Sequence, residues 1–286
     1  MTQFLLSVIT NKASLSSVCC MKPFLKWAGN KYKSVERIKA VLPHGRRLIE
    51  PFAGAGALFL NSDFDEYLIA DANPDLITLF KVIQTYKFDF IEYAQSFFTL
   101  QNNDEKKFYE FRTLFNQTKD KKLKSALFIY LNRHCYNGLC RYNQKGEFNT
   151  PFGRYAKVYF PQVELESFIE KSQKAVFECA DFEEIMLSAQ AGDVIYCDPP
   201  YVPLSKTASF TSYATDGFGL QKQQRLARVA ELVAHRGIPV VISNHETEFT
   251  LKEYSRAKIE SFDIRRTISS NASKREMARE VLALFQ

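Results

Sequence analysis

The sequence predicts an α/β fold built on a doubly wound, mostly parallel sheet, and three stretches carry that expectation. Arg47 to Phe52 (RLIEPF) reads as a buried strand that runs into Ala53-Gly54-Ala55-Gly56-Ala57 and a short apolar helix at Leu58-Phe59-Leu60. Strand, Gly-x-Gly turn and helix is the nucleotide-binding turn of such sheets, where Gly54 and Gly56 let the backbone approach a ligand. Tyr67 to Ala70 reads as a second strand tipped by Asp71. Ala191 to Leu204 (AGDVIYCDPPYVPL) supplies another, in which Val194, Ile195 and Tyr196 favour a strand and Pro199 and Pro200 end it. Asp198 and Tyr201 then stand at a carboxyl strand end, the edge where open α/β sheets place their ligands.

The glycine turn lacks a third glycine at dinucleotide spacing and lacks Gly-Lys-Ser/Thr, which argues against a classical NAD fold and a P-loop. An acidic residue at the tip of the second strand suits ribose hydroxyls, so the pair of features predicts an adenosine-type ligand. Six cysteines without a CxxC pair, and four dispersed histidines, predict reduced thiols in a cytoplasmic protein with neither disulfide frame nor metal. Neither a bilayer-length apolar run nor a signal-peptide pattern is present in the sequence.

The net charge of +6 is unevenly placed. Residues 74–160 hold 14 Lys/Arg against 8 Asp/Glu, while the remainder holds 24 of each. A basic third of this kind predicts a polyanion partner, nucleic acid ahead of a membrane surface.

Taken in order, residues 1–20 are expected to form a dispensable extension, with Met21 as the natural start. Phe24 to Tyr32 (FLKWAGNKY) places the single Trp27 beside a small-residue turn in which Asn30 can take a left-handed conformation nearly as glycine does. Asn73-Pro74 is a helix start, and helix is expected from there to about Asn132, with Leu76, Phe80 and Ile83 on one face and Phe108, Phe111 and Phe115 on another. Asn132 to Tyr155 reads as hairpin or loop, rich in Arg, Asn and aromatic residues suited to bases and phosphates, with Phe148 and Phe152 packing inward. Beyond Val163 the pattern is α/β again. A helix through Phe168 to Ala175, a strand at Val176 to Cys179, a helix ending at Gly237 and a strand at Ile238 to Ser243 are expected. The segment from Leu204 to Gly219 reads as a lid, Arg265 to Asn271 as a phosphate-binding loop, and Val281 to Phe285 as a closing strand.

Eight motifs in this order, FLKWAGNK, EPFAGAG, Asp71, NRHCYNGLCRYN, FNTPFGRY, CDPPY, ISNHE and RRTISSN, resemble those of the DNA adenine-N6 methyltransferases, and within them the Dam type that modifies GATC. The likeness runs from about Lys22 to the C-terminus. It departs in Asn30, where the family has the second glycine of Gly-Gly-Lys, and in residues 1–20, which have no counterpart. The resemblance implies a Rossmann-like methyltransferase sheet from residues 21–73 and 161–286, with a helical and hairpin DNA-recognition insert at 74–160. It implies S-adenosylmethionine as donor, contacted by Trp27, Lys31, Asp71 and Asp198 beside the Gly54/Gly56 turn. Double-stranded DNA is the implied partner, met by Lys26, Tyr136, Asn137, Leu139, Arg141, Pro151 and Tyr155. Arg141 is the residue expected to read a guanine edge.

For catalysis the resemblance implies base flipping, since adenine inside a duplex cannot reach the donor. Asp198 and the Pro199 carbonyl would accept hydrogen bonds from the exocyclic amine and localise its lone pair, and Tyr201 would stack on the extruded base. Asp198 would also help take the proton, and no metal is called for. A cytoplasmic, nucleoid-associated monomer serving mismatch repair and replication control is the implied setting. Two other readings stay open at this point: an RNA or protein-amide methyltransferase, which uses related tetrapeptides, and a DNA-binding regulator that kept the fold without catalysis.

Overall fold

Alternation of apolar residues sets the two faces of the central sheet. The computed structural model describes residues 20–204, 218–265 and 277–286, the side chains at 265 and 277 excepted. Within it a seven-stranded sheet comprises β1 (Arg47–Glu50), β2 (Glu66–Asp71), β3 (Ala175–Cys179), β4 (Asp193–Cys197), β5 (Val240–His245), β6 (Lys258–Arg265) and β7 (Met277–Phe285), in the order β3-β2-β1-β4-β5-β7-β6. The first five are parallel, and β7 runs antiparallel to both β5 and β6. Leu48, Tyr67, Ile69, Tyr196 and Val241 face one core, while their neighbours Ile49, Leu68, Ala70, Ile195 and Ile242 face the other.

This order creates the functional crevice. From β1 the chain winds outward through β2 to β3, then returns to lay β4 against the opposite side of β1. The carboxyl ends of β1 and β4 therefore diverge at a topological switch point, where open sheets bind their ligands. Glu50 ends β1, and Asp198 directly follows β4.

The predicted doubly wound architecture is present, with several boundaries moved. β1 ends at Glu50 rather than Phe52, since Pro51 has no N–H to continue the ladder. The expected long helical stretch is three helices: α3 (Pro74–Gln95), α4 (Glu105–Gln117) and α5 (Lys121–His134), following α1 (Val35–Val41) and α2 (Ala57–Asn61). Side-chain caps cause the breaks, because Asp104 and Asp120 each accept a backbone N–H at the start of a new helix, as Asn73 does for α3. The helix expected to reach Ala175 is α6 (Gln162–Ser172), and Ala175 already belongs to β3. Helices α7 (Phe182–Leu187), α8 (Leu220–Ala234) and α9 (Glu248–Glu253) complete the described set. Strand β6 escaped the sequence reading because it is an edge strand with exposed Lys258, Glu260 and Asp263 and no strict alternation. Residues 1–19 of the extension, 205–217 of the expected lid (Leu204 to Gly219) and 266–271 of the expected phosphate loop (Arg265 to Asn271) lie outside the described residues.

Aromatic packing joins the sheet to the helices of the insert. Phe80 on α3 meets Phe177 of β3 at 5.4 Å and Phe168 of α6 at 4.9 Å between ring centres. Farther out, Phe108 contacts Phe152 and Phe115 contacts Phe148, so both hairpin phenylalanines pack inward as expected. The hairpin itself is held by two isolated bridges, Cys135 to Phe152 and Tyr142 to Phe148.

Candidate active site

Asp198, directly after β4, is held by two further elements. Its Oδ1 lies 3.0 Å from the Lys31 Nζ, offered by a 3-10 turn over Lys31–Ser34, and 2.9 Å from the Ser243 hydroxyl on β5. The backbone beyond it is strapped down as well. Gln223 donates to the Pro200 carbonyl at 2.6 Å, Val202 N–H donates to Asn244 Oδ1 at 3.0 Å, and the His245 ring hydrogen-bonds the Val202 carbonyl at 2.7 Å. Two prolines and these three ties give the tetrapeptide one conformation. Tyr201 is wedged in turn: the Lys31 ammonium sits 4.3 Å from its ring centre, His245 meets its edge at 4.8 Å, and its hydroxyl lies 3.4 Å from Glu280 Oε2. Burial and the neighbouring Asp198 charge hold the Tyr201 phenol well above its ordinary range, so it remains neutral.

A cavity of about 670 Å³ opens at this point and runs along the switch point. Its volume is that of a cofactor-sized ligand. Of the residues singled out from sequence, Trp27, Lys31, Gly54, Asp71, Asp198, Pro199 and Tyr201 all line it. Gly54 has φ +47, and a Cβ there would stand 2.9 Å from the Trp27 indole nitrogen, so glycine is required on both counts. Asp71 anchors the same turn, accepting Gly54 N–H at 3.0 Å and Asn73 N–H at 2.9 Å. Burial raises its carboxyl above the usual carboxylate range, and those two N–H donors oppose the shift. Gly56 is not among the lining residues; it makes the left-handed turn (φ 71) that starts α2. The left-handed conformation open to Asn30 is not the one it adopts. Gly29 does (φ 75), while Asn30, at φ −50, uses its side chain to accept Tyr32 N–H at 2.8 Å and cap the Lys31 turn.

Sequence reasoning missed several walls of the cavity. Phe52, Phe182 and Phe218 form an aromatic corner, Phe52 stacked on Phe182 at 5.4 Å and both meeting Phe218 edge-on. Phe182 follows Asp181 just past β3, so the strand-end rule applied to Asp71 would have found it. Glu50 is 3% exposed, lines the cavity, and has no hydrogen-bond partner at Oε1 among the described residues. Burial, with the Asp198 charge adding to it, pushes its carboxyl up to about 8.

Lys26 and residues between 132 and 155 gather into a second cluster. The Lys26 Nζ stands 4.4 Å from the Tyr155 ring centre, and the Tyr155 hydroxyl accepts Asn137 N–H at 2.9 Å. Lys26 is tied there through Asn132, which accepts its N–H at 2.9 Å and donates to its carbonyl at 2.7 Å. Burial, then the nearby Arg133, lowers the Lys26 ammonium from its ordinary value. Gly138 (φ +66) turns the chain against Lys26, whose side chain occupies the place a Cβ would need. Tyr136 N–H bonds the Pro151 carbonyl at 2.8 Å, holding both exposed side chains on one rim, and Leu139, half-buried, follows at the same turn. Arg141 is exposed, with its Nε donating to Asn149 Oδ1 at 2.7 Å, which orients the guanidinium outward. No helix among the described residues is long and apolar enough to cross a membrane, and no His/Cys/Asp/Glu group there could hold a metal ion.

Comparison with known proteins accounts for this arrangement. Residues 27–268 match the family described as D12 class N6 adenine-specific DNA methyltransferase. The chain is 48% identical over 265 residues to the DNA adenine methylase of Escherichia coli (strain K12), covering 93% of this chain and 95% of that protein. It is 51% identical over 265 residues to the DNA adenine methylase of Vibrio cholerae serotype O1 (strain ATCC 39541 / Classical Ogawa 395 / O395), covering 92% and 96%. Against the DNA adenine methylase of Serratia marcescens it is 49% identical over 266 residues, covering 93% and 98%. With the family matched over most of its length and the strand-end tetrapeptide at the switch point, the chain belongs to the D12 class of N6 adenine-specific DNA methyltransferases.

Proposed function

We propose that this enzyme moves a methyl group from S-adenosylmethionine to N6 of an adenine turned out of double-stranded DNA, within the sequence GATC. The observation that carries the reading is Asp198, clamped at the switch point and sharing one cavity with Trp27, Gly54 and Asp71. The residues present fit such a donor. An unpartnered buried Glu50 oxygen suits a cationic group, and the Phe52, Phe182 and Phe218 corner suits an aromatic base. Asp71 offers its carboxylate to ribose hydroxyls, and Lys31 and Trp27 close the cavity from the side of the insert. When bound, the donor supplies an electrophilic sulfonium methyl.

The chain's own groups do the rest. Asp198 and the Pro199 carbonyl accept hydrogen bonds from the two amine N–H groups, drawing the nitrogen lone pair out of the ring and toward the methyl group. Because both acceptors are held in place, little reorganisation is needed as charge develops. Tyr201, locked by Lys31 and His245, offers its face to the extruded base, a stack worth about 1–3 kcal/mol. Asp198 then receives the proton that the methylated amine sheds, directly or through water.

Residues 74–160 are read as the part that meets DNA, with Lys26, Tyr136, Asn137, Leu139, Arg141, Pro151 and Tyr155 at the target site. The basic excess of that segment supports the phosphate contact, and the oriented Arg141 supports base reading. The setting this implies is a monomer in the cytoplasm, bound to the nucleoid and marking DNA for mismatch repair and for control of replication and expression. The test is methylation of duplexes carrying GATC or single-base variants of it, followed by nucleoside analysis. N6-methyldeoxyadenosine from GATC alone supports the reading; methylation of cytosine, of RNA, or of all duplexes equally contradicts it.

A further inference from the structure

Pairing between β4 and β5 matches Cys197 with Ile242, so the next residues along, Asp198 and Ser243, stand side by side at the carboxyl end of the sheet. Ser243 is 1% exposed. Its Oγ lies 2.9 Å from Asp198 Oδ1, 3.3 Å from the Cys197 carbonyl and 3.0 Å from the Tyr196 hydroxyl. A serine hydroxyl has one proton to give and lone pairs to receive. Burial, followed by the Asp198 charge, keeps the Tyr196 phenol well above its ordinary range, so it is a donor at neutral pH. Tyr196 therefore donates to Ser243, and the serine proton is directed at the acceptors, of which the carboxylate is the stronger. The result is a relay of hydrogen bonds from Tyr196 through Ser243 to Asp198.

Among the described residues, the two donors to this carboxylate, Ser243 and Lys31, converge on the same oxygen, Oδ1. We propose that Ser243 is a positioning residue for methyl transfer: with Lys31 it fixes Asp198 through Oδ1 and thereby reserves Oδ2 for the amine of the target base. Lys31 alone does not define the plane of the carboxylate, because one contact at a single oxygen leaves the group able to turn about its Cβ–Cγ bond. Ser243 does so from the adjacent strand, with a short side chain and a buried phenol behind it. A rotation of the carboxylate about its Cβ–Cγ bond breaks the Ser243 bond and misaims the acceptor, and misplacement near a reacting atom is expensive. The inference rests on the reading of Asp198 given above.

Single-turnover methyl transfer on a duplex with one GATC site, with binding of S-adenosylmethionine and of the duplex measured separately, tests it. Ser243→Ala is expected to slow the transfer step about 10- to 100-fold, the range for one hydrogen bond to a charged group. Both dissociation constants should stay within about twofold, because the serine touches neither ligand. Ser243→Thr restores the hydroxyl and should recover most of the rate. If thermal unfolding shows that the added methyl disrupts the strand, Tyr196→Phe replaces it as the second arm and should slow transfer while leaving both affinities intact. Asp198→Ala, run beside them, separates the two claims. Turnover by Asp198→Ala overturns the role of Asp198 itself. An inactive Asp198→Ala with a wild-type rate in Ser243→Ala overturns only the positioning role, as does a folded Ser243→Thr as slow as Ser243→Ala.

Discussion

The Lys31 ammonium stands 3.0 Å from Asp198 Oδ1 and 4.3 Å from the centre of the Tyr201 ring, so a single cation contacts both the first and the last residue of the tetrapeptide. Its third contact, the Gly29 carbonyl at 2.9 Å, fixes it from the side of its own turn. Side-chain exposure is 10% for Lys31 and 22% for Asp198, which leaves little water to replace a lost partner. Lys31→Met is therefore expected to destabilise the protein by about 3 kcal/mol, as for a broken buried pair. Methyl transfer should fall by about 100-fold or more as Asp198 and Tyr201 both lose their support. Urea unfolding and single-turnover rates check this; a variant as stable and as fast as the parent severs the link.

Glu50 gives the protein a pH dependence of defined sign. Burial and the Asp198 charge place its carboxyl at about 8 in the fold, against an ordinary value of 4.5. Between those values the folded state holds a proton that the unfolded chain releases. The contribution to stability is thus complete below about 4.5 and is lost as pH rises through about 8. Glu50→Gln cannot release this proton and should flatten that part of the stability profile in the ligand-free protein. A cationic donor bound beside Glu50 favours the ionised form, so binding near pH 7 should expel a proton. Calorimetry in buffers of different ionisation enthalpy reads that release, which should vanish in Glu50→Gln. Equal proton release by both proteins contradicts the assignment.

Gly138 sits in the cluster proposed to meet DNA and is not among the residues that line the cavity. At φ +66, with the Lys26 side chain where a Cβ would go, Gly138→Ala carries backbone strain and a clash of about 1–3 kcal/mol. The strain falls on Lys26 and Asn137, not on the cavity lined by Trp27 and Asp198. Duplex affinity and discrimination should drop together while the dissociation constant for S-adenosylmethionine stays unchanged. A loss of cofactor binding of equal size shows instead that the two clusters are mechanically one.

Arg141 is aimed by its bond to Asn149 Oδ1 at 2.7 Å. Arg141→Ala should compress the preference for GATC over its single-base variants by about 10- to 100-fold, the worth of one bidentate base contact. Asn149→Ala, which removes the Nε bond and leaves the one from the guanidinium to the Asn149 carbonyl at 3.2 Å, should produce a smaller effect in the same direction. Relative methylation rates on the variant duplexes measure both. A uniform loss on every duplex marks Arg141 as a phosphate contact.

How far the sequence foretold these features depends on whether the cause is local. The glycine turn, the Asp71 tip and the Asp-Pro-Pro-Tyr stop were legible because strand propensity, positive φ and proline act within a few residues. The strand order was less so, and with it the pairing that sets Asp198 beside Ser243 and Glu50 across the crevice from both. Glu50 lay within a recognised motif yet was passed over, because its burial and lack of a partner arise only when β4 is laid beside β1. The turn before Lys31 is open in the sequence for a similar reason. Either Gly29 or Asn30 could turn the chain, and the bond from Tyr32 N–H to the Asn30 side chain decides between them. The break between α3 and α4 was locally encoded in Asp104, and is hidden because the apolar periodicity continues across it.

The most direct test of the account is the methylation state of plasmid DNA from cells lacking other adenine methylation, expressing either this enzyme or its Asp198→Ala variant. Digestion uses one nuclease blocked by N6-methyladenine in GATC and another that requires it. The account predicts that the parent enzyme renders the plasmid resistant to the first and sensitive to the second. Asp198→Ala should reverse both results, while the purified variant still binds S-adenosylmethionine and duplex DNA. Protection by the Asp198→Ala enzyme, or a parent enzyme that leaves GATC unmodified, contradicts it.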